Sequence, residues 1–522
     1  MKRLLFQVHR WVGVALALFM LLWFVSGLLI IYAPLTTQSH QQQLAHAESL
    51  APSADWLSLG EAWANSAASR RALASNAETS GKGADNVVEA RLVRHAGQPL
   101  WLVEDGRGQR FALSASDGML HETSAAEALL IAGDWLAQPA AALAYRETVE
   151  RDSALRNLDA WRPFHRIAVA DDAGRELIVS ARTGEVLRVS TRVERGLYWA
   201  GNWLHMFRPL DALGWGDARR DILTWTAGAA ALAILAGLII GWLRWRPGWG
   251  GKRTYAEGRT QPYRAFWFRW HFWSGLLGGS LALLWALSGF LNNNPWQLFS
   301  PANPSRAEAA RYLGGDVPPA MRDWRPAPLA AASTEAASAV VELGWRRLGK
   351  EAVLLGYTRG GERLPQSRFS EGALRAAAQR LVGGSALADV VLQGEYDSYY
   401  YPSHRRGTAE KPLPVLRVDV ADGAGTRVYI DPEDGRLLAR QDTSRRAFRW
   451  LFSAVHHWDV GWLYQRPLWD AWMLTWVLCG LVLSASSVVI GWQRLRRTFR
   501  FRRHGSDRAS APAELSTENR AA

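Results

Sequence analysis

Thiols are almost missing from this sequence. Its 522 residues hold one cysteine, Cys479, which excludes a disulfide framework, a CxxC pair and a thiolate metal cluster. No CxxCH occurs, so covalent c-type haem attachment is excluded. No GxGxxG is present, and "PGWGGKR" (247–253) is too short a match to a phosphate loop, so no nucleotide-binding domain is read in these residues. The long apolar runs carry almost no acidic or basic residue, which argues against a transport pathway for ions or protons.

Long apolar runs are what the chain does have. Four of them, Trp11 to Tyr32, Ile222 to Leu243, Phe272 to Leu291 and Leu468 to Trp492, reach the roughly 20 residues that span a bilayer. The first follows the basic start "MKRLL", but its apolar part exceeds the roughly 7–15 residues of a secretory signal, so it is read as a retained helix. Many of the 28 tryptophans flank these runs, as in the aromatic belts of membrane proteins. Net charge is +13, and it is uneven. Lys2, Arg3 and Arg10, then Arg244 to Arg269, then Arg494 to Arg503 form three basic clusters. The positive-inside rule puts all three in the cytoplasm and fully uses the charge, so nucleic acid is not expected as a partner.

The expected layout follows. Residues 1–33 are a cytoplasmic N-terminus and first membrane helix, and 34–220 a first periplasmic domain. A second helix (221–243), a basic loop (244–269) and a third helix (270–291) come next. Residues 292–467 are a second periplasmic domain, 468–492 a fourth helix and 493–522 a basic tail. The expected location is a bacterial inner membrane, with both termini cytoplasmic.

The chain also resembles itself. "HRWVGVALALFMLLWFVSG" (9–27) lies over "HFWSGLLGGSLALLWALSG" (271–289) at an offset of 262, matching His9 to His271, Trp23 to Trp285 and Ser26–Gly27 to Ser288–Gly289. "RPFHRIAVADDAGRELIVSARTGEVL" (162–187) lies over "LPVLRVDVADGAGTRVYIDPEDGRLL" (413–438) at an offset of 251, and that register carries on to match His205 with His456. Two copies of helix, external domain, helix enter the membrane from one side, so they read as parallel repeats about an axis along the membrane normal. The external domains read as mixed α and β: short strands around "DAG" and "RTGE" turns, helices over 58–75 and 371–382, and loop over 301–335.

A small hairpin ending in "TGEV" or "DPEDGRLL", followed by "RWLFSAVHHWDVG" and a membrane helix, resembles the PepSY-associated transmembrane family, as does "DSYYYPSHRRG" before "PLPVLRVDV". The resemblance covers about residues 1–500. It implies a membrane α-helical fold, four transmembrane helices in two parallel repeats, with two periplasmic α+β PepSY-like domains. Members of this four-helix type are similar to haem-containing inner-membrane ferric-siderophore reductases. The implied activity is therefore an oxidoreductase with b-type haem, two per chain, taking electrons from a quinol or a cytoplasmic reductase. Its acceptor would be a ferric siderophore or other ferric chelate. PepSY modules are also known as interaction modules, so the alternative is a non-redox scaffold that binds a peptidase or other protein.

The histidines carry the chemistry. Imidazole is a good axial ligand of haem iron, and two per iron favour electron transfer. Of 12 histidines, His9, His271, His205 and His456 sit at membrane edges and obey the internal match. They are the expected axial ligands, His9 with His271 and His205 with His456. A lone interfacial histidine beside tryptophan is more often an anchor, but four that follow the repeat are not so easily explained. His457 has Met206 at its matching position and is an alternative ligand. Gly13, Gly27, Gly275, Gly278, Gly279 and Gly289 would let a flat cofactor or a helix approach closely. Tyr399, Tyr400, His404 and Arg405 are candidate contacts for the organic chelate, although core tyrosines of a strand are the commoner meaning of that pattern. Arg208, Arg219 and Arg220 are candidates for haem propionates.

Overall fold

The computed structural model describes residues 2–34, 36–70, 87–326, 340–364, 368–402, 404, 408 and 410–509, with side chains to 497 in the last helix. The chain divides into two units. One is formed by Met1–Tyr32, Ala200–Trp296 and Leu451–Ala522, the other by Ala33–Trp199 and Gln297–Trp450.

The first unit is a bundle of four helices, Lys2–Tyr32, Gly216–Arg244, Phe266–Asn292 and Leu468–Ala509, each with a stretch long and apolar enough to cross a membrane. The protein is therefore a multi-pass membrane protein. The helices outrun the apolar segments read from sequence, starting at Lys2 rather than Trp11 and at Phe266 rather than Phe272. Ahead of the first run stand Lys2, Arg3 and Gln7, good helix formers, so that backbone does not stop where hydropathy does. The first and third helices each pack against the second and fourth, which leaves the first and third facing each other across the bundle. Small residues make the seams. A Cβ on Gly278 would lie 2.5 Å from Cys479 Sγ, and one on Gly279 would lie 2.8 Å from Leu238.

A π-helical turn, Trp199–Trp203, precedes His205, and another, Arg449–Ser453, precedes His456. Two residues after each histidine the chain reverses through a left-handed residue, Phe207 (φ 51°) and Trp458 (φ 56°). Such a conformation costs a bulky residue about 1–3 kcal/mol. Ring packing offsets it: Phe207 stacks on Trp23 at 5.5 Å, and Trp458 meets Trp472 at 5.1 Å.

The second unit is built on strands β1 (Val87–His95), β2 (Gln98–Asp105), β3 (Arg110–Ser114), β4 (Leu120–His121), β5 (Leu143–Val149), β6 (Phe164–Val169), β7 (Glu176–Ser180), β8 (Val186–Ser190), β9 (Val340–Leu348), β10 (Glu351–Thr358), β11 (Leu387–Gln393), β12 (Val415–Val420), β13 (Arg427–Ile430) and β14 (Leu437–Gln441). Two four-stranded antiparallel sheets run β5-β6-β7-β8 and β11-β12-β13-β14. Helix Ala125–Leu136 covers the first, and helix Glu371–Leu381 covers the second. The third sheet, β10-β9-β1-β2-β3-β4, takes strands from both segments of this unit. The segments that the sequence reads as two domains thus share one sheet, joined where Ala90, Arg91 and Leu92 pair with Trp345, Gly344 and Leu343.

Local readings fared unevenly. The "DAG" turn joins β6 to β7, with Gly174 at φ 57°. The stretch 301–335 is not all loop: Arg306–Leu313 and Pro319–Arg322 are helices, the first started by a Ser305–Glu308 capping box. Residues 327–335 of that stretch, and 71–75 of the expected helix 58–75, lie outside the described residues.

A charge network lies inside the shared sheet. Arg91 on β1 binds Glu342 on β9 at 3.0 Å and Glu185, while Glu89 meets Arg346. Burial pushes the Glu185 carboxyl up, but Arg91 and Arg110 outweigh it and hold the group down at about 2. Trp161 Nε1 donates to its second oxygen at 2.7 Å.

Candidate cofactor site

The helical bundle brings the four repeated histidines together in two pairs. His9 on the first helix faces His271 on the third, with ring centres 6.1 Å apart. His205 and His456, on the turns that precede the second and fourth helices, face each other at 6.5 Å. From His9 to Ser26, which touches His205, the first helix climbs about 26 Å at its usual rise. That is close to the roughly 30 Å of a hydrocarbon core. Between the two levels lie Met20, Phe24, Ile234, Trp285 and Val477, an apolar filling.

Hydrogen bonds decide which ring nitrogen each histidine offers. His9 Nδ1 lies 2.9 Å from the Ala233 carbonyl oxygen. A carbonyl only accepts, so Nδ1 carries the proton and Nε2 the lone pair. Ser26 Oγ donates to the Trp23 carbonyl, so its oxygen accepts from His205 Nδ1 at 3.0 Å. Ser288 Oγ donates to the Trp285 carbonyl and accepts from His456 Nδ1 at 2.9 Å. Ser486 and Ser487 both donate to the Leu483 carbonyl, so both accept from His271 Nδ1, at 3.3 and 3.2 Å. All four rings therefore keep the same tautomer. Among the described residues none of the four Nε2 atoms has a hydrogen-bond partner.

This arrangement fits an iron between each pair. A metal–nitrogen bond of about 2.0–2.1 Å, plus about 1.1 Å from nitrogen to ring centre, sets two axial imidazoles about 6.2–6.4 Å apart, centre to centre. Metal-bound histidine commonly donates its other ring N–H to a carbonyl or similar acceptor, and each Nδ1 here has such an acceptor. Among the described residues no three His, Cys, Asp or Glu side chains form a metal-holding group, so each pair brings two ligands. Two suit a macrocycle that supplies its own four nitrogens. Gly27 and Gly289 stand 3.8 and 4.0 Å, measured from a built Cβ, from the Cε1 atoms of His205 and His456.

Sequence reasoning missed several parts. Gly237 gives His9 its room, since a Cβ there would lie 2.5 Å from His9 Cε1. Ala233, Ser486 and Ser487 supply the other acceptors. Ala233 and Gly237 are four apart on one face of the second helix, a spacing the self-comparison did not bring out.

His457 points elsewhere. Its ring meets His456 edge-on at 5.4 Å, its side chain is half exposed, and Asp459 lies 3.9 Å away. His456, not His457, faces His205. Arg219 is bound to Asp211 at 2.8 Å and to the Met206 carbonyl, and Arg220 to the Asn293 carbonyl. Arg208 meets Asp211 at 3.5 Å. These contacts tie down the turn and the neighbouring helix end.

The chelate contacts read from sequence also separate. Tyr400 is fully buried, stacked on Tyr429 at 5.1 Å, with its hydroxyl donating to the Pro412 carbonyl at 2.8 Å. It is a core residue and cannot be a ligand contact, although it lies in a bend rather than the strand the pattern suggested. Tyr399 is half-buried, its ring 6.4 Å from that of Trp450. His404 is half-buried as well, and Arg405 lies outside the described residues.

The chain matches the family described as PepSY-associated TM region over residues 6–382. No curated protein matches the chain.

Proposed function

The chain belongs to the PepSY-associated transmembrane family, and on that premise we propose that it is a b-type haem protein of a bacterial inner membrane. In this reading it has two parallel repeats with both termini in the cytoplasm, and it reduces ferric iron held by a siderophore in the periplasm. The observation that carries the reading is the pairing itself: two histidine pairs spaced for one iron each, with every Nδ1 proton engaged and every Nε2 available. Haem, when bound, supplies a one-electron ferric–ferrous couple. His9 and His271 would hold it on the cytoplasmic side, His205 and His456 on the periplasmic side. Gly237, Gly27 and Gly289 leave room for the rings, and the apolar filling between the levels keeps water away from both.

One electron converts each Fe³⁺ to Fe²⁺. A quinol would give two electrons and release two protons, serving two ferric ions; a cytoplasmic reductase is the other donor class. Hard oxygen donors of a siderophore hold Fe³⁺ far better than Fe²⁺, so reduction loosens the chelate. No acid–base residue is required, because the protein's task is to bind and orient the electron carriers.

The test is spectroscopic. Protein purified in detergent should show a b-type reduced-minus-oxidised spectrum and two extractable haems per chain. His456→Ala should remove one and leave the other at His9 and His271. A colourless, folded protein would refute the reading and favour a display scaffold.

A further inference from the structure

We propose that Ser26 and Ser288 are positioning residues that hold the His205 and His456 rings nearly perpendicular, giving the haem at that pair a spectrum and potential unlike those of the other. The inference rests on the haem reading above. Its starting point is a difference between the pairs: the ring planes of His205 and His456 are 79° apart, those of His9 and His271 only 41°.

The perpendicular pair is tethered at both ends of each residue. Ser26 Oγ takes the His205 ring proton at 3.0 Å, and Trp23 Nε1 donates back to the His205 carbonyl at 3.2 Å. Ser288 and Trp285 repeat this on His456, at 2.9 and 3.1 Å. In each case the serine hydroxyl donates to the tryptophan carbonyl three residues earlier. Serine, tryptophan and histidine thus close a ring of three hydrogen bonds, which fixes the imidazole about its own axis. Phe452 stacks on His456 at 5.0 Å and resists rotation further. The other pair is held less evenly. His9 has one carbonyl acceptor at 2.9 Å, whereas the His271 proton is shared between two longer contacts, 3.3 and 3.2 Å.

Ring angle matters because each imidazole π system overlaps one of two iron d orbitals. Coplanar rings load a single orbital and split the two in energy. Perpendicular rings load both equally and leave them nearly degenerate. Near-degeneracy gives ferric low-spin iron a strongly anisotropic paramagnetic signal. It also stabilises the ferric state less, which raises the potential. Outer-sphere hydrogen bonds to the ligands are one of the protein's levers on potential.

The experiment is low-temperature paramagnetic resonance with a spectroelectrochemical titration on the full-length, haem-loaded protein. Wild type should give two low-spin ferric signals, one strongly anisotropic and of higher potential, and His456→Ala should remove that one. Ser288→Ala should move that signal toward the rhombic form and shift its potential, with the other haem unchanged; Ser288→Thr should restore both. Ser26→Ala is an independent second route to the same shift. A single rhombic class in wild type, or an anisotropic signal unmoved in both alanine variants, would overturn this inference while leaving the haem assignment standing. Absence of haem would overturn both.

Discussion

Gly237→Ala separates a packing role for that position from a ligand-seating one. A Cβ built on Gly237 falls 2.5 Å from His9 Cε1 and 2.8 Å from Nδ1, where ordinary contact begins at 3.4 Å. The neighbour in the way is a ring held by its own hydrogen bond, so the ring must swing away and release the Ala233 carbonyl. The bond lost is worth about 0.5–1.5 kcal/mol net. Losing such an outer partner usually lowers metal affinity about 10–100-fold. The helix itself gains, since alanine is better than glycine in a helix interior by roughly 0.8–1.0 kcal/mol. The variant should therefore stay folded and lose only the haem at His9 and His271. Gly241→Ala, one turn on, is the control: its nearest atom is Leu276 Cδ1 at 3.7 Å, an ordinary contact. Haem per chain, read by pyridine haemochrome with circular dichroism melting alongside, should be about half the wild-type value for Gly237→Ala and unchanged for Gly241→Ala. Full loading in both would refute the reasoning, and so would equal loss in both.

Two further outcomes are expected. His457→Met, which copies Met206, should keep both haems and an unaltered visible spectrum, whereas His456→Met should perturb one; difference spectra decide between the two neighbours. Acid should weaken the shared sheet through Glu185. Its carboxyl sits at about 2 in the folded chain against an ordinary 4.5. The stability it contributes, about 3 kcal/mol, is present above pH 4.5 and is lost as pH falls toward 2. Glu185→Gln should flatten that part of the pH profile and remove up to about 3 kcal/mol at pH 7, Arg91 keeping Glu342 as its partner; melting followed from pH 7 to pH 3 checks both.

The four spans were legible because hydropathy over twenty residues is a strong signal, and their ends were not, because helix propensity continues through the flanking basic residues. His9, His271, His205 and His456 were legible only by laying the chain over itself; each half alone has no more than ordinary interfacial histidines. The seats of those rings were hidden for different reasons. Ser486 and Ser487 stand in an apolar run where serine looks like a small residue. Gly237 is one of many helix glycines, and only the position of His9 distinguishes it. Tyr400 could be read two ways because a cluster of tyrosines and arginines has the composition of a binding surface; its place in the core, the commoner meaning, depends on Tyr429 and Pro412, elsewhere in the chain. The union of the two sheet-forming segments was invisible because β1 and β9 each look like the end of a local hairpin.

That union sets an order of events during synthesis. Until β9 is made, β1 has β2 on one side and bare backbone on the other, along a strand whose Ala90, Leu92 and Val93 side chains are buried in the finished protein. The first half of the chain must therefore carry an open, apolar strand edge while two more membrane helices are threaded. Such edges recruit other strands, and pairing across so long a stretch of chain is slow. A chain cut short after its second helix would keep this edge for good and should be recovered as aggregates or protease fragments rather than as a working half.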